Sequence, residues 1–398
     1  MKFYRNLCLV AVCSLLVSCF KEEPLNAECD ILAVRVADNQ LQEMFFNEAE
    51  RQIDVLSGDS IINFKVRRKA DLKAIAPLFK ITEGATIQPA NGSTHDFSKG
   101  SVTYTVTSED KQWSRRYKVS FIPTSQTVKD TIHFDFEHFR IEPTDKKFYL
   151  WYDFDENGKE TDYWATGNIA FSIAAGDKSA DEYPSVPVSE GGHHGAYVRL
   201  TTRSTGALGA MFGKPTAAGN MFFGKFDAGQ SLVDPNKATQ FGIPFDKKPI
   251  KFTGWYKYQP GKNFQNQQQK ILKDRTDQAA IYAVLYRNTV VEGDGEGKSK
   301  KIVLDGNNIL TSEHIVAIAQ MENIKTTSEW TPFDISFQYH QLIDENIVEN
   351  RGYSLAIVFS SSRDGAKFEG AIGSELCIDD IRIICTSEAV SYTHLTLP

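Results

Sequence analysis

The chain has 398 residues, 41% of them hydrophobic, and a formal net charge of −7 at pH 7. This length favours two domains of ordinary size, and the apolar fraction is sufficient for a hydrophobic core in each. Acidic residues outnumber lysine and arginine, 51 to 44. This charge excludes nucleic acid as a partner and is compatible with a neutral ligand such as a sugar.

Residues 1–18 have the pattern of a secretory signal. A basic start precedes an apolar run from Leu7 to Val17, which is too short to span about 30 Å of hydrocarbon. The tetrapeptide Leu16-Val17-Ser18-Cys19 resembles the bacterial lipobox, which implies that Cys19 is lipidated and becomes the mature N-terminus. An ordinary signal peptide cleaved elsewhere is the alternative. Residues 19–29 are mostly polar, so we expect a tether, with the lipid as the one contact with the membrane.

Three of the six cysteines, Cys29, Cys377 and Cys385, lie beyond the lipidation site. Cys377 and Cys385 are eight residues apart in one predicted strand. The strand separates them by roughly 26 Å, too far for a disulfide. No Cys-x-x-Cys motif is present. We therefore expect free thiols rather than a metal or redox centre.

Residues 30–123 contain short runs of alternating apolar and polar residues. The runs are Ile31–Val36, Ile61–Val66, Phe79–Ile81, Val102–Thr107 and Tyr117–Phe121. This period, with turn residues between the runs, predicts an immunoglobulin-like sandwich. The segment from Gly84 to Gly92, followed by Tyr104-Thr-Val-Thr-Ser108, resembles the immunoglobulin-like N-terminal modules of surface lipoproteins in glycan-foraging gut bacteria. Such modules usually serve as spacers.

A polar linker at Pro123–Thr127 leads to a second domain, residues 130–388, in which we predict longer strands. These are Ile132–Glu137, Ala196–Thr201, Ile250–Tyr258, Ala280–Tyr286, His314–Ala319, Ser354–Ser360 and Leu376–Ile384. Aromatic-rich strands without helical periodicity indicate a β jelly roll, so the predicted fold class is all-β. Residues 389–398 continue no pattern, and we expect them to be a non-native tail.

Five segments of the second domain carry a family resemblance. They are Trp164-Ala-Thr-Gly-Asn168, Asn220-Met-Phe-Phe-Gly-Lys-Phe226, Gly254-Trp-Tyr-Lys-Tyr-Gln-Pro-Gly261, Ile281-Tyr-Ala-Val-Leu-Tyr286 and Ser360–Ser374. This ordered series, which spans most of residues 130–386, resembles the putative carbohydrate metabolism domain family. The resemblance implies a jelly roll similar to carbohydrate-binding modules, behind an immunoglobulin-like domain. It implies a role in carbohydrate metabolism but no defined reaction.

Binding of a sugar requires flat apolar side chains for the C–H face of a pyranose and planar polar groups for its hydroxyls. The candidates in the second domain are Trp151, Trp164, Asn168, Trp255, Tyr256, Tyr258 and Trp330. Trp151 and Trp164 flank loop-like sequence, so we expect them to be exposed. In a strand, Trp255 and Lys257 point to one face and the two tyrosines to the other, so one face is aromatic whichever is buried. A place in the core is the competing interpretation for each aromatic residue.

Acidic residues indicate two places for a structural calcium ion. Asp153, Asp155 and Asn157 match the opening of a D-x-D-x-N-G calcium loop, but the twelfth position, where glutamate is expected, is Trp164. Jelly-roll binding modules also often hold calcium between their first and last strands. There the oxygens would come from Asp135, Glu137 and Asp380. An acidic turn without metal is the alternative in both places.

The neighbouring His193 and His194 are a third candidate for metal binding. In a strand they would point to opposite faces, so we expect a solvated pair in a loop rather than a shared metal ion.

These features support three hypotheses. The first is a glycan-binding lipoprotein without catalysis, anchored to the outer membrane on its periplasmic or surface side. The second is a glycoside hydrolase on the same jelly roll, which needs two carboxylates roughly 5 to 10 Å apart. Its candidate carboxylates, among which the spacing singles out no pair, are Glu137, Asp153, Asp155, Glu190 and Glu369. The third is a structural or assembly lipoprotein, which predicts a large apolar surface patch.

Overall fold

The computed structural model describes residues 25–36, 44–46, 48–67, 70–124, 131–155, 158–174, 178–291 and 299–386. The expected signal peptide, the lipidation site Cys19 and the tail 389–398 lie outside these residues. The described chain consists of strands and short helices, the longest of which has seven residues. The predicted all-β class is therefore confirmed. No described helix is long and apolar enough to cross a membrane.

The first domain is a sandwich of two sheets. Its strands are β1 (Ile31–Val36), β2 (Gln52–Asp54), β3 (Ile61–Arg67), β4 (Pro77–Ile81), β5 (Thr86–Gln88), β6 (Val102–Thr107) and β7 (Ser114–Thr124). One sheet has the order β2-β1-β4, and the other has the order β3-β7-β6-β5 with a parallel β3–β7 pair. Alternate residues of both sheets, among them Val34, Phe64 and Tyr104, form one core. The period of two read from the sequence is the pattern that one-sided burial requires.

The second domain contains the remaining strands. The first group is β8 (Thr131–Phe134), β9 (Phe139–Ile141), β10 (Tyr149–Trp151), β11 (Asp153–Phe154), β12 (Glu160–Thr161), β13 (Trp164–Ala165), β14 (Ser185–Val188), β15 (Tyr197–Thr201), β16 (Arg203–Ser204), β17 (Thr216–Ala217), β18 (Asn220–Phe226), β19 (Thr239–Phe241) and β20 (Ile243–Phe245). The second group is β21 (Pro249–Gln259), β22 (Phe264–Gln265), β23 (Ala280–Arg287), β24 (Thr289–Val291), β25 (Ser299–Lys301), β26 (Ile315–Gln320), β27 (Thr327–Ser336), β28 (Gln338–Tyr339), β29 (Tyr353–Ser360), β30 (Gly370–Ala371) and β31 (Glu375–Cys385). The described α-helices are α1 (Asn168–Ala174), α2 (Gly206–Met211), α3 (Gln230–Val233), α4 (Pro235–Ala238) and α5 (Glu345–Glu349).

Two large antiparallel sheets make up the jelly roll. The eight-stranded sheet has the order β13-β18-β29-β23-β26-β28, with β19 beside β18 and β20 beside β29. The six-stranded sheet has the order β14-β15-β31-β21-β27, with β8 beside β31. Their facing sides enclose the main hydrophobic core, to which Phe252, Phe333 and Phe359 contribute. The core thus lies between two layers of strands, as in other double-sheet domains.

The two sheets differ in how much of their surface is covered. Strands β23 and β29 of the eight-stranded sheet are buried along almost their whole length, because a second hydrophobic cluster packs on the side away from the main core. That cluster includes Tyr286, Leu304 and Ile309. In the six-stranded sheet, β21 alternates between buried and more accessible residues. Its outer face is therefore where this domain offers a broad sheet surface to a ligand.

The two domains touch through polar groups. A guanidinium nitrogen of Arg67 donates a hydrogen bond to Asn350 Oδ1 at 2.8 Å, and Lys225 forms an ion pair with Asp59 at 3.5 Å. The ammonium of Lys65 lies 5.1 Å from the centre of the Tyr163 ring. Burial lowers the pKa of Lys65 to about 8. The interface between the two domains therefore contains charged side chains, whereas the core of each domain is hydrophobic.

Candidate functional site

The outer face of the six-stranded sheet carries aromatic and charged side chains on four adjacent strands. We call this surface the platform, and its members are Tyr197, Arg199, Trp255, Lys257, Trp330 and Glu375. Each of them is partly exposed. Arg199 and Lys257 both pair with Cys377 of β31, so these three residues form one row across β15, β31 and β21. The alternation of β21 therefore sends Trp255 and Lys257 outward. The sequence predicts that these two side chains share a face, and the structure shows that this face is the outer one.

Trp330 is held in a defined orientation on the platform. Its indole Nε1 donates a hydrogen bond to the carbonyl oxygen of Gly191 at 3.0 Å. The Tyr197 ring meets it edge to face, with centroids 5.3 Å apart, and the Lys257 ammonium lies 4.5 Å from its centroid. Because three contacts fix the ring, little rotamer freedom remains to be lost when a ligand stacks on it.

One end of the platform carries two neighbouring arginines, Arg199 and Arg203, with the carboxylate of Glu375 nearby. The buried Nε atoms of Arg199 and Arg203 have no hydrogen-bond partner among the described residues. Burial lowers the pKa of Arg203, and the neighbouring charge of Arg199 lowers it further. A cleft of about 390 Å³ adjoins Arg203 and is also lined by Phe171 and Lys178. A carboxylate or sulfate group would satisfy both the charge and the free N–H groups.

The His193–His194 pair lies at the other end of the platform, in the loop between β14 and β15. The two Nδ1 atoms are 2.9 Å apart, and they lie 3.5 Å and 3.4 Å from Asp380 Oδ2. The His193 ring stacks on Trp255 with centroids 3.8 Å apart. The pair lies in a loop, as expected, so the opposite directions of a strand do not apply. A loop has no alternating side-chain pattern, so neighbouring residues are free to converge.

Asp380 is the centre of this group of charged residues. Its side chain is buried, and Oδ1 accepts a hydrogen bond from Arg382 at 2.8 Å and contacts His133 Nε2. The Asp380 backbone has φ of 54°, in the left-handed region, where the register of β31 against β21 is irregular. Non-glycine residues adopt this conformation at a cost of about 1–3 kcal/mol, and such positions cluster at functional sites.

Two carboxylates hold the histidine loop against the sheet. Asp379 Oδ2 accepts a hydrogen bond from the His194 backbone N–H at 2.9 Å, and Glu137 Oε1 accepts one from Ala196 at 2.8 Å. A Cβ atom at Gly192 would lie 2.7 Å from Asp379 Oδ2, so glycine is required there. Burial raises the pKa of Asp379. Asp379 and Glu137 thus position the two histidine side chains.

A second carboxyl group with a perturbed pKa lies nearby. Burial raises the pKa of Asp153 to about 6, and the charge of Asp135 adds to this effect. The Trp164 indole donates a hydrogen bond to Asp153 Oδ2 at 3.1 Å, which opposes the shift. Tyr152 and Phe154, on either side of Asp153, contact the His138 ring at centroid distances of 5.6 Å and 5.1 Å. Phe154 is 52% exposed, so these rings form a second accessible aromatic patch on the segment that carries Asp153.

Several residues expected at the sugar site lie in the core. Trp151 and Trp164 are 4% and 7% exposed, so the expectation of exposure is wrong for both. Trp164 packs against Phe134 and Phe223, since its short strand β13 joins the edge of the eight-stranded sheet. These two indoles have no free face to offer a ligand.

The other buried candidates have structural contacts as well. Asn168 is fully buried, and its side chain exchanges two hydrogen bonds with the backbone of Ser185. Tyr256 and Tyr258 point between the two sheets and are each 1% exposed. Of the residues predicted from the sequence to bind sugar, Trp255 and Trp330 lie together on the platform.

Of the two expected calcium sites, the loop at Asp153 is described only in part, and the three acidic residues expected between the first and last strands are not grouped as ligands among the described residues. Asp155 Oδ1 accepts a hydrogen bond from the Lys159 backbone in the turn of the β11–β12 hairpin, and Asn157 lies outside the described residues. Asp135 Oδ1 accepts a hydrogen bond from the backbone of Glu137. Within the described chain, the potential metal ligands that group with Asp380 are His193 and His194, and this group does not include Asp135 or Glu137.

Comparisons with known proteins agree with this architecture. The family profile described as "Putative carbohydrate metabolism domain" matches residues 135–384, and the profile described as "SGBP, N-terminal" matches residues 42–121. None of the curated proteins matches the chain.

Two solved structures are similar to this chain over most of their length. One, from Bacteroides thetaiotaomicron VPI-5482, is 35% identical with a TM-score of 0.75, and the match covers 92% of this chain and 100% of that one. The other, from Bacteroides vulgatus ATCC 8482, is 35% identical with a TM-score of 0.57 and covers 64% of this chain and 98% of that one. Both proteins are described as putative glycoside hydrolases.

Proposed function

Because the chain belongs to the putative carbohydrate metabolism domain family, we propose that it binds glycans through the platform of the six-stranded sheet. The observation that carries this proposal is the fixed, partly exposed Trp330 ring among charged neighbours on an open sheet face. The indole would stack on the C–H face of a pyranose, and Arg199 and Glu375 would hydrogen-bond its hydroxyls. Trp255, whose ring is stacked on His193, would extend this surface.

The proposal includes the location of the protein. The first domain matches the N-terminal domain of SGBP proteins, and the sequence before it has the lipobox at Cys19. These features support a lipoprotein of the outer membrane, attached through its lipid, in which the first domain holds the platform away from the membrane surface.

The test is a glycan-array screen of the purified protein, followed by titration of each ligand found. We expect Trp330→Ala to lower the affinity by about 30-fold, because loss of a stacked ring costs about 2 kcal/mol. The matched control is Trp113→Ala, since Trp113 is 61% exposed in the first domain and should not contact the ligand. Equal affinity of the Trp330→Ala variant and the wild type would refute the proposed site.

A second candidate function is hydrolysis of the bound glycan, with Asp153 as the proton donor. Asp153 precedes the accessible Phe154 in its strand, and a carboxyl group with a pKa of about 6 can be protonated near neutral pH. The relatives described as glycoside hydrolases also favour it. Hydrolysis predicts release of reducing ends by the wild type and a loss of at least 100-fold in Asp153→Ala. Release at the same rate by the variant would exclude this role of Asp153.

A further inference from the structure

The three atoms that converge at the end of the platform form a nearly equilateral triangle. Its edges are 2.9 Å between the two histidine Nδ1 atoms, and 3.5 Å and 3.4 Å from these atoms to Asp380 Oδ2. A tetrahedral zinc ion with bonds of about 2.0 Å has its ligand atoms roughly 3.3 Å apart. One ion can therefore lie within bonding distance of His193, His194 and Asp380 without movement of the backbone.

Hydrogen bonds within the group account for this arrangement less well than a shared metal ion does. Both Nδ1 atoms lie within 3.5 Å of the same carboxylate oxygen and 2.9 Å from each other. Two neutral rings form one hydrogen bond at most between these nitrogens, and only if one nitrogen carries the proton. Two protonated rings would place like charges 2.9 Å apart. A cation at the centre of the triangle would give all three lone pairs a partner.

The residues around Asp380 resemble the outer shell of a metal site. Arg382 and His133 contact Oδ1, which leaves Oδ2 directed at the histidines. Asp379 and Glu137 accept hydrogen bonds from backbone N–H groups of the histidine loop and so hold it in place. Such outer contacts orient ligands and raise metal affinity, commonly by 10–100-fold in proteins.

We propose that His193, His194 and Asp380 bind one divalent transition-metal ion, with zinc as the best fit. Two imidazole nitrogens and one carboxylate oxygen suit zinc, whereas calcium and magnesium prefer oxygen ligands. The His194 side chain is 67% exposed, so the cluster is accessible to solvent from the His194 side. Because His193 stacks on Trp255, a sugar on the platform could place a hydroxyl in that position. This last step rests on the proposed glycan binding, but the metal site itself does not.

The test is calorimetric titration of the metal-free protein with zinc, together with cobalt titration followed by visible absorption. We expect one zinc ion per chain and the absorption of tetrahedral cobalt. His194→Ala should weaken zinc binding at least tenfold, and the fold should stay intact because this side chain is exposed. The control variant is His340→Ala, because His340 is also exposed in the second domain but lies outside the cluster. Absence of zinc binding, or equal zinc affinity of His194→Ala and wild type, would overturn the proposal.

The glycan-binding role is tested separately. Each ligand from the array is titrated against the metal-free and the zinc-loaded protein. Weaker binding to the metal-free form, and no such difference in His194→Ala, would support coordination of the sugar. Equal binding to both forms of the wild type would refute that coordination, and the zinc titration would still decide whether the metal site exists.

Discussion

Replacement of Asp153 by asparagine tests whether burial of this carboxyl group has a measurable energetic cost. The folded-state pKa is about 6, compared with an ordinary value of 3.8. A difference of about two pH units corresponds to about 3 kcal/mol between the charged and the neutral form. The asparagine side chain of the Asp153→Asn variant has nearly the same shape and can still accept the hydrogen bond from Trp164. The variant should therefore lose the cost of the buried charge and keep the contact.

The direction of the pH effect follows from the raised pKa. The folded protein binds this proton more tightly than the unfolded chain, so the stabilisation is complete below the ordinary pKa of 3.8 and is lost as the pH rises through about 6. We expect Asp153→Asn to raise the free energy of unfolding by up to about 3 kcal/mol at pH 7 and to change it little near pH 4. Urea denaturation at a series of pH values measures the difference.

A matched control separates this effect from a general change in net charge. Asp274 is exposed, so Asp274→Asn removes one negative charge without removing a buried one. Its effect on stability should be small and nearly independent of pH. If Asp153→Asn gave the same difference from wild type at pH 4 and pH 7, the argument from burial would fail. A variant less stable than wild type at pH 7 would also refute it.

Three further predictions concern the core and the charged end of the platform. Trp164→Ala should lower the free energy of unfolding by about 3–5 kcal/mol in urea denaturation, because it removes a buried indole; a loss below about 1 kcal/mol would contradict its place in the core. Asp277→Ala should cost at least about 3 kcal/mol in the same assay, since the carboxylate accepts hydrogen bonds from Ser362, Ser374 and two backbone N–H groups; unchanged stability would mean that these donors find other partners. Arg203→Gln should reduce the preference for acidic over neutral glycans about tenfold in array titrations, because it removes a guanidinium whose Nε–H has no partner among the described residues; an unchanged ratio would argue against an acidic ligand.

The difference between the two sheets of the jelly roll could be predicted from sequence. Ala280–Tyr286 is an almost continuous apolar run, and its strand β23 is buried on both faces. Ile250–Gln259 alternates, and its strand β21 has one accessible face. A strand between two hydrophobic clusters needs apolar residues at every position, whereas a strand at the surface needs them at every second one. Tyr197 and Arg199 were missed as platform residues, although the alternation of β15 contains the same signal.

The strand of Trp330 had a weaker signal. Thr327–Ser336 has few apolar residues, and its ladder with β21 is irregular beside Tyr256 and Tyr258. The sequence marked the tryptophan as a candidate for sugar binding without identifying its strand. Pairing with a neighbour that is distant in sequence determined which way the ring points.

The amino-acid sequence by itself determined the all-β class, the family and the shared face of Trp255 and Lys257, because these follow from local periodicity and ordered motifs. Only the tertiary structure decided that Trp164 is core and that two histidines meet a carboxylate. His194 and Asp379 are 185 positions apart, and the hydrogen bond between them sets the loop that brings both histidines to Asp380. No local pattern encodes such a contact, since a loop side chain takes its direction from whatever the fold packs against it.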